Sequence, residues 1–110
     1  MAKDDYFVIV YRILKYWYAC FKAGEKPDFS LFSPNALCIN NGYWVNLIES
    51  MSNEVYISGV VFPSAVGSIK SVKLLDIKIT EKGIIFLEDN SKMKKAAEFL
   101  KSASEIIPGF

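Results

Sequence analysis

Residues 40–83 read NNGYWVNLIESMSNEVYISGVVFPSAVGSIKSVKLLDIKITEKG, and the fold turns on how they are parsed. Asn40-Asn41-Gly42 is a turn, with Asn40 placed to cap a helix that runs to about Asn53. Within it Trp44, Leu47, Ile48 and Met51 recur at i, i+3, i+4 and i+7, which makes one buried stripe. Tyr43, Asn46, Glu49, Ser50 and Asn53 are left facing outward. Val55 to Phe62 is β-branched and aromatic, hence a strand. Pro63, Ser64, Gly67 and Ser68 mark the tip of a hairpin. Ser71 to Ile79 returns, with Ile77 and Ile79 alternating with Asp76 and Lys78. Thr80 then caps a further helix, and Glu81 in its first turn suits the helix dipole.

Upstream, the pattern is helical from Asp4 or Asp5, either a suitable N-cap, to about Lys22. Phe7, Val10, Leu14, Trp17 and Phe21 form one apolar face. Ile9, Ile13, Tyr16 and Cys20 form a second beside it. Val8, Arg12, Lys15, Ala19 and Lys22 are left for water. So wide an apolar arc reads as a central core helix packed on more than one side. Gly24 and Pro27 end it. Asp28 to Phe32 reads as a short extended link whose Phe29, Leu31 and Phe32 plug the core. Ser33-Pro34 starts a short helix to about Cys38. Downstream, Ile84, Ile85 and Leu87 belong to the helix capped by Thr80, which falters at Asp89-Asn90. Ser91 restarts it, and Met93, Ala96, Ala97, Leu100 and Ala103 keep the helical spacing until Pro108-Gly109. Two helices joined by a tight turn after a long first helix, then a hairpin, is the order of a winged helix-turn-helix. The expected fold is α+β: a three-helix core, a β-hairpin wing and C-terminal helices, in a single domain over residues 1–110.

The composition suits a packed domain. Of 110 residues, 52% are hydrophobic and 23% charged, so the chain can bury a core. The segment MAKDDYFVIVYRILKYWYACFKAG at residues 1–24 is no membrane span, because Arg12 and Lys15 interrupt it well short of the ~18–20 apolar residues a crossing needs. Asp4 and Asp5 precede its apolar part, which argues against a secretory signal. The expected location is the cytoplasm, with Cys20 and Cys38 as two buried thiols. The chain has no histidine. Its two cysteines lack metal-ligand spacing, no Ser-His or Cys-His pair can form, and no phosphate-binding loop is present. No catalytic residue, metal or cofactor is therefore expected, and the protein reads as a non-enzyme.

Several local pieces recur in a known order: Tyr43-Trp44, Tyr56-Ile57-Ser58-Gly59, Ile79-Thr80-Glu81-Lys82-Gly83 and Leu87-Glu88-Asp89-Asn90-Ser91. Taken together over nearly the whole chain, they resemble the YjcQ family of small winged-helix proteins from Gram-positive bacteria and their prophages. The resemblance implies the winged-helix fold and a bacterial or phage origin. It brings no catalytic residue with it.

A winged helix usually lays its third helix in the major groove and touches the backbone with its wing. Double-stranded DNA is the expected partner on that ground. Candidate contacts are Asn41, Tyr43, Asn46 and Ser50 on the third helix, where an Asn amide pairs well with adenine. Lys70 and Lys73 on the wing, with Arg12 and Lys15 on the first helix, would meet phosphates. The charge count sets a limit on this reading. Residues 27–69 hold no Lys or Arg and three acids, Asp28, Glu49 and Glu54. The rival reading is a non-enzymatic interaction module, with a homodimer built through the aromatic first helix and the last helix, where Phe99 stands off the apolar stripe.

Overall fold

A computed structural model describes residues 5–62 and 72–103. Among these residues the fold is α+β, with five α-helices and one two-stranded antiparallel hairpin. The expected cap at Asp4, the hairpin tip at Pro63–Ser68, the start of the return at Ser71, Lys70, the side chain of Ala103 and the stop at Pro108-Gly109 lie outside the described residues. Helix α1 spans Asp5–Ala23, α2 Pro34–Leu37 and α3 Asn41–Asn53. Strands β1 (Ile57–Val61) and β2 (Lys73–Ile79) follow, then α4 (Glu81–Asp89) and α5 (Ser91–Ala103).

Side-chain caps start three of these helices as expected. The Ser33 hydroxyl accepts from the Ala36 amide at 3.2 Å, Asn40 Oδ1 from Tyr43 at 2.8 Å, and Thr80 Oγ1 from Gly83 at 3.0 Å. Asn90 sits between α4 and α5, and its Oδ1 accepts from the Lys92 amide at 2.8 Å.

Three helices end in one way, with a left-handed residue followed by a backbone bond back across the last turn. Glu25 N–H reaches the Cys20 carbonyl after α1, Ile39 N–H reaches Pro34 after α2, and Tyr56 N–H reaches Met51 after α3. The residue that must turn left-handed is Gly24 at φ 71 in the first case, but Cys38 at φ 57 and Val55 at φ 63 in the others. β-Branching assigns Val55 to the start of the strand. It instead forms the helix stop, and β1 starts two residues later at Ile57.

An aromatic chain ties the first half together. Trp17 and Phe32 meet edge-on at 5.2 Å, and the Trp44 indole N–H donates to the Phe32 carbonyl at 2.8 Å. Trp44, Leu47, Ile48 and Met51 are all buried, as their spacing requires. Phe32 alone of its link plugs the core. Residues Phe29–Leu31 form a 3-10 turn capped by Asp28, and a turn that tight leaves Phe29 and Leu31 largely exposed.

Helix α1 buries Ile9, Val10, Ile13, Leu14, Trp17 and Cys20 as its spacing predicts, and departs from that pattern at two positions. Val8 is buried and Phe21 is half exposed, the reverse of the reading from spacing. Helix α1 is packed by α5, β2 and α4, and Phe21 lines an open pocket with Ile77 and Lys78 of β2. Cys20 is buried as expected, but Cys38 is exposed because its backbone serves as a helix stop at the surface. Ile85 is exposed on α4, so Gly83 and Leu87 are that helix's buried residues.

The hairpin turns over partway along. Ile57 pairs with Ile79 and Ser58 with Lys78, yet Val60 pairs with Leu74, so the register shifts at Gly59. Ile57, Ile77 and Ile79 are buried before the shift. Beyond it Val60, Phe62, Val72 and Leu74 pack on the core, while Val61 and Leu75 are exposed. The strict alternation read from Ile77 and Ile79 therefore stops at the bulge. Gly59 sits at φ 82, and a Cβ there would lie 2.1 Å from the Asp76 carbonyl oxygen. Only glycine lets the strands approach there.

Candidate nucleic-acid interface

The candidate residues divide into those that α1 engages and those it leaves open. The Tyr43 hydroxyl donates to Asp5 Oδ2 at 3.3 Å, and the Tyr6 and Ser50 hydroxyls lie 2.8 Å apart. Two of the four α3 candidates are therefore half-buried partners of the start of α1. Burial pushes the Tyr43 hydroxyl above its usual pKa, and the negative charge of Asp5 adds to the rise. This arrangement fixes the angle between α1 and α3 with polar contacts above the apolar core.

Asn41 and Asn46 remain exposed, as does Asn53 further along the helix. Asn41 stands in the first turn of α3, where backbone N–H groups are unsatisfied by the helix itself. The exposed candidates of α3 are thus amides, and the helix carries no basic side chain.

The cations lie elsewhere. Lys73 is exposed at the start of β2, paired in register with Val61. Lys78, further along the strand, is held by Asp76 at 3.5 Å. Lys15 is exposed, with its Nζ 5.5 Å from the centre of the Tyr11 ring. Arg12 is half-buried close to Cys38, and burial pulls its guanidinium below its usual pKa even though Cys38 opposes the shift. Lys70 lies outside the described residues.

A family model described as YjcQ protein matches residues 11–106. The chain belongs to the YjcQ family. The match takes in the link after α1, the α2–α3 pair, the hairpin and both last helices, so the family pattern coincides with the elements described above. No curated protein and no solved structure matches this YjcQ-family chain. Among the described residues no helix is long and apolar enough to cross a membrane, and no three His, Cys, Asp or Glu side chains gather where they could hold a metal ion.

Spacing missed two features of this surface. The engagement of Tyr43 and Ser50 depends on the angle between two helices, which no local pattern encodes. The placement of Tyr11, Lys15, Tyr18 and Lys22 on one side of α1 was legible, because they fall at i, i+4, i+7 and i+11.

Proposed function

We propose that this YjcQ-family protein is a non-enzymatic winged-helix DNA-binding protein, of regulatory type and of bacterial or phage origin, acting in the cytoplasm. The observation that carries the reading is the exposed Asn46 amide on α3, with Asn41 exposed in the first turn, in a short-helix, turn, helix order that leads into an antiparallel hairpin. In this reading α3 enters the major groove and Asn46 forms a bidentate pair with an adenine edge. Lys73 on the wing, with Lys15 on α1, meets phosphates. Tyr43 and Ser50 act as supports that hold α3 against α1.

The test is selection from a random duplex pool followed by Asn46→Ala. The expected result is an enriched A-containing site. Asn46→Ala should lose about 1–3 kcal/mol of discrimination there while keeping its dependence on salt. A pool that enriches nothing, or an Asn46→Ala protein with unchanged discrimination, would refute α3 as the reading element.

A second reading has one observation of its own. Phe21 on α1 and Phe99 on α5 are about half exposed, at 49% and 50%. A homodimer through the first and last helices would cover them. Sedimentation equilibrium distinguishes the two: a dimer that Phe99→Glu dissociates supports the interaction module, and a monomer at all concentrations removes it.

A further inference from the structure

We propose that the Tyr11, Lys15, Tyr18 and Lys22 strip of α1 is a second, sequence-independent contact for the phosphate backbone of duplex DNA. The inference rests on the duplex-binding reading and extends its Lys15 contact along α1 to Tyr11, Tyr18 and Lys22.

At 100° per residue the four positions fall within one narrow arc of the helix, and they extend about 16 Å along its axis. Lys15 and Lys22 are exposed, and the two tyrosines are half-buried beside them. Each lysine lies over a ring: Lys15 Nζ is 5.5 Å from the Tyr11 centroid and Lys22 Nζ is 4.4 Å from that of Tyr18. Such pairing holds the long stems against the helix, so less side-chain freedom remains to be given up when the ammonium groups meet an anion.

Within α1 the charge after the first turn has one sign, and the acids that follow it are Glu25 and Asp28, whose amide donates to the Tyr16 hydroxyl at 2.8 Å. From Tyr6 to Ala23 the helix carries Arg12, Lys15 and Lys22 and no acid. Asp5, the acid in its first turn, is engaged by Tyr43. Neither Lys15 nor Lys22 forms an ion pair among the described residues. The other lysine-rich helix, α5, has Glu98 among its lysines, and α3 has no cation. The strip therefore presents two exposed lysines that no acid between Tyr6 and Ala23 opposes, a charge complementary to phosphates.

The rings argue for a duplex backbone over a single strand. Single strands are held by stacking bases on open aromatic faces. Here those faces are taken by the protein's own lysines, and what the tyrosines offer is a hydroxyl, a common donor to phosphate oxygen.

The test compares the salt dependence of binding to a labelled random-sequence duplex for wild type, Lys15→Glu/Lys22→Glu and the neutral Lys15→Gln/Lys22→Gln, each checked for fold by circular dichroism. The expected result is weaker binding and a log–log salt slope reduced by about two in both variants, because each lysine neutralises one phosphate. If wild type binds and the Gln variant keeps its slope, the strip does not touch DNA, while the α3 reading stands. If wild type fails to bind at low salt, the duplex reading and the strip fall together. Loss of binding to phosphatidylserine vesicles in the variants, with the duplex slope intact, would reassign the strip to membranes and overturn the proposal.

Discussion

Replacing Trp44 with Ala probes the link between α1 and α3 most sharply. The indole is 4% exposed and meets Phe29 edge-on at 5.8 Å. A side chain of this class buries about 200 Å². At about 25 cal/mol per Å² that burial is worth near 5 kcal/mol, and the alanine methyl keeps about 1 of it. The net cost of about 4 kcal/mol falls inside the range of about 3–5 for Trp→Ala in cores. The indole N–H also satisfies the carbonyl of Phe32, a residue 1% exposed. Losing that donor adds about 1–3 kcal/mol unless water enters the cavity. Trp44→Phe separates the two contributions, because it keeps most of the apolar burial and loses the donor; it should cost about 1–3 kcal/mol. A domain of this kind has about 5–15 kcal/mol in total, so Trp44→Ala should leave it at the edge of folding. Urea unfolding followed by far-UV circular dichroism reads both values. A loss below about 1 kcal/mol for Trp44→Ala, with an unchanged m-value, would refute the claim that Trp44 joins the two halves of the core.

Three further outcomes follow from the backbone and the tyrosines. Val55 holds φ 63 with its side chain 55% exposed, so Val55→Gly should raise stability by about 1 kcal/mol by relieving strain; a lower urea midpoint would contradict this. Gly59→Ala would push a Cβ to 2.1 Å from the Asp76 carbonyl oxygen and should cost about 2 kcal/mol or more, seen as hairpin amides that lose hydrogen-exchange protection; unchanged protection would show that the bulge is not glycine-dependent. Tyr16, Tyr43 and Tyr56 all have hydroxyls raised above 10.0, chiefly by burial. The folded state then favours the protonated form, so stability is fully present below about pH 10 and falls as pH climbs from there towards the folded values. Tyr43→Phe should flatten part of that fall in the urea midpoint, and an identical alkaline decline in the variant would remove Tyr43 from it.

The elements whose signals are local were readable from the chain. Ser33, Asn40 and Thr80 cap helices as their positions indicate, because a cap needs only itself and the next three residues. The buried stripe of α3 follows from its period alone. What spacing could not reach depends on neighbours distant in sequence. Val8 is buried and Phe21 half exposed because burial on α1 is set by the elements packed on it, α4, α5 and β2, which local spacing does not encode. Phe29 and Leu31 are apolar but exposed, since one tight turn can place only Phe32 between Trp17 and Trp44. Val55 and Cys38 are poor choices for a left-handed helix stop by composition, and the closing backbone bonds impose it on them. At the candidate interface, Asn41 and Asn46 are exposed as read, while Tyr43 and Ser50 are engaged by Asp5 and Tyr6 across a gap of about forty residues.

The proposed function requires this fold to bind duplex DNA. Fluorescence anisotropy of a labelled random-sequence duplex, titrated with protein at about 50 mM and about 200 mM salt, tests it most directly. The expected result is binding at the lower salt that weakens steeply at the higher, with a slope that Lys70→Glu/Lys73→Glu flattens by about one to two. Folded protein that leaves the anisotropy unchanged at the lower salt would contradict it.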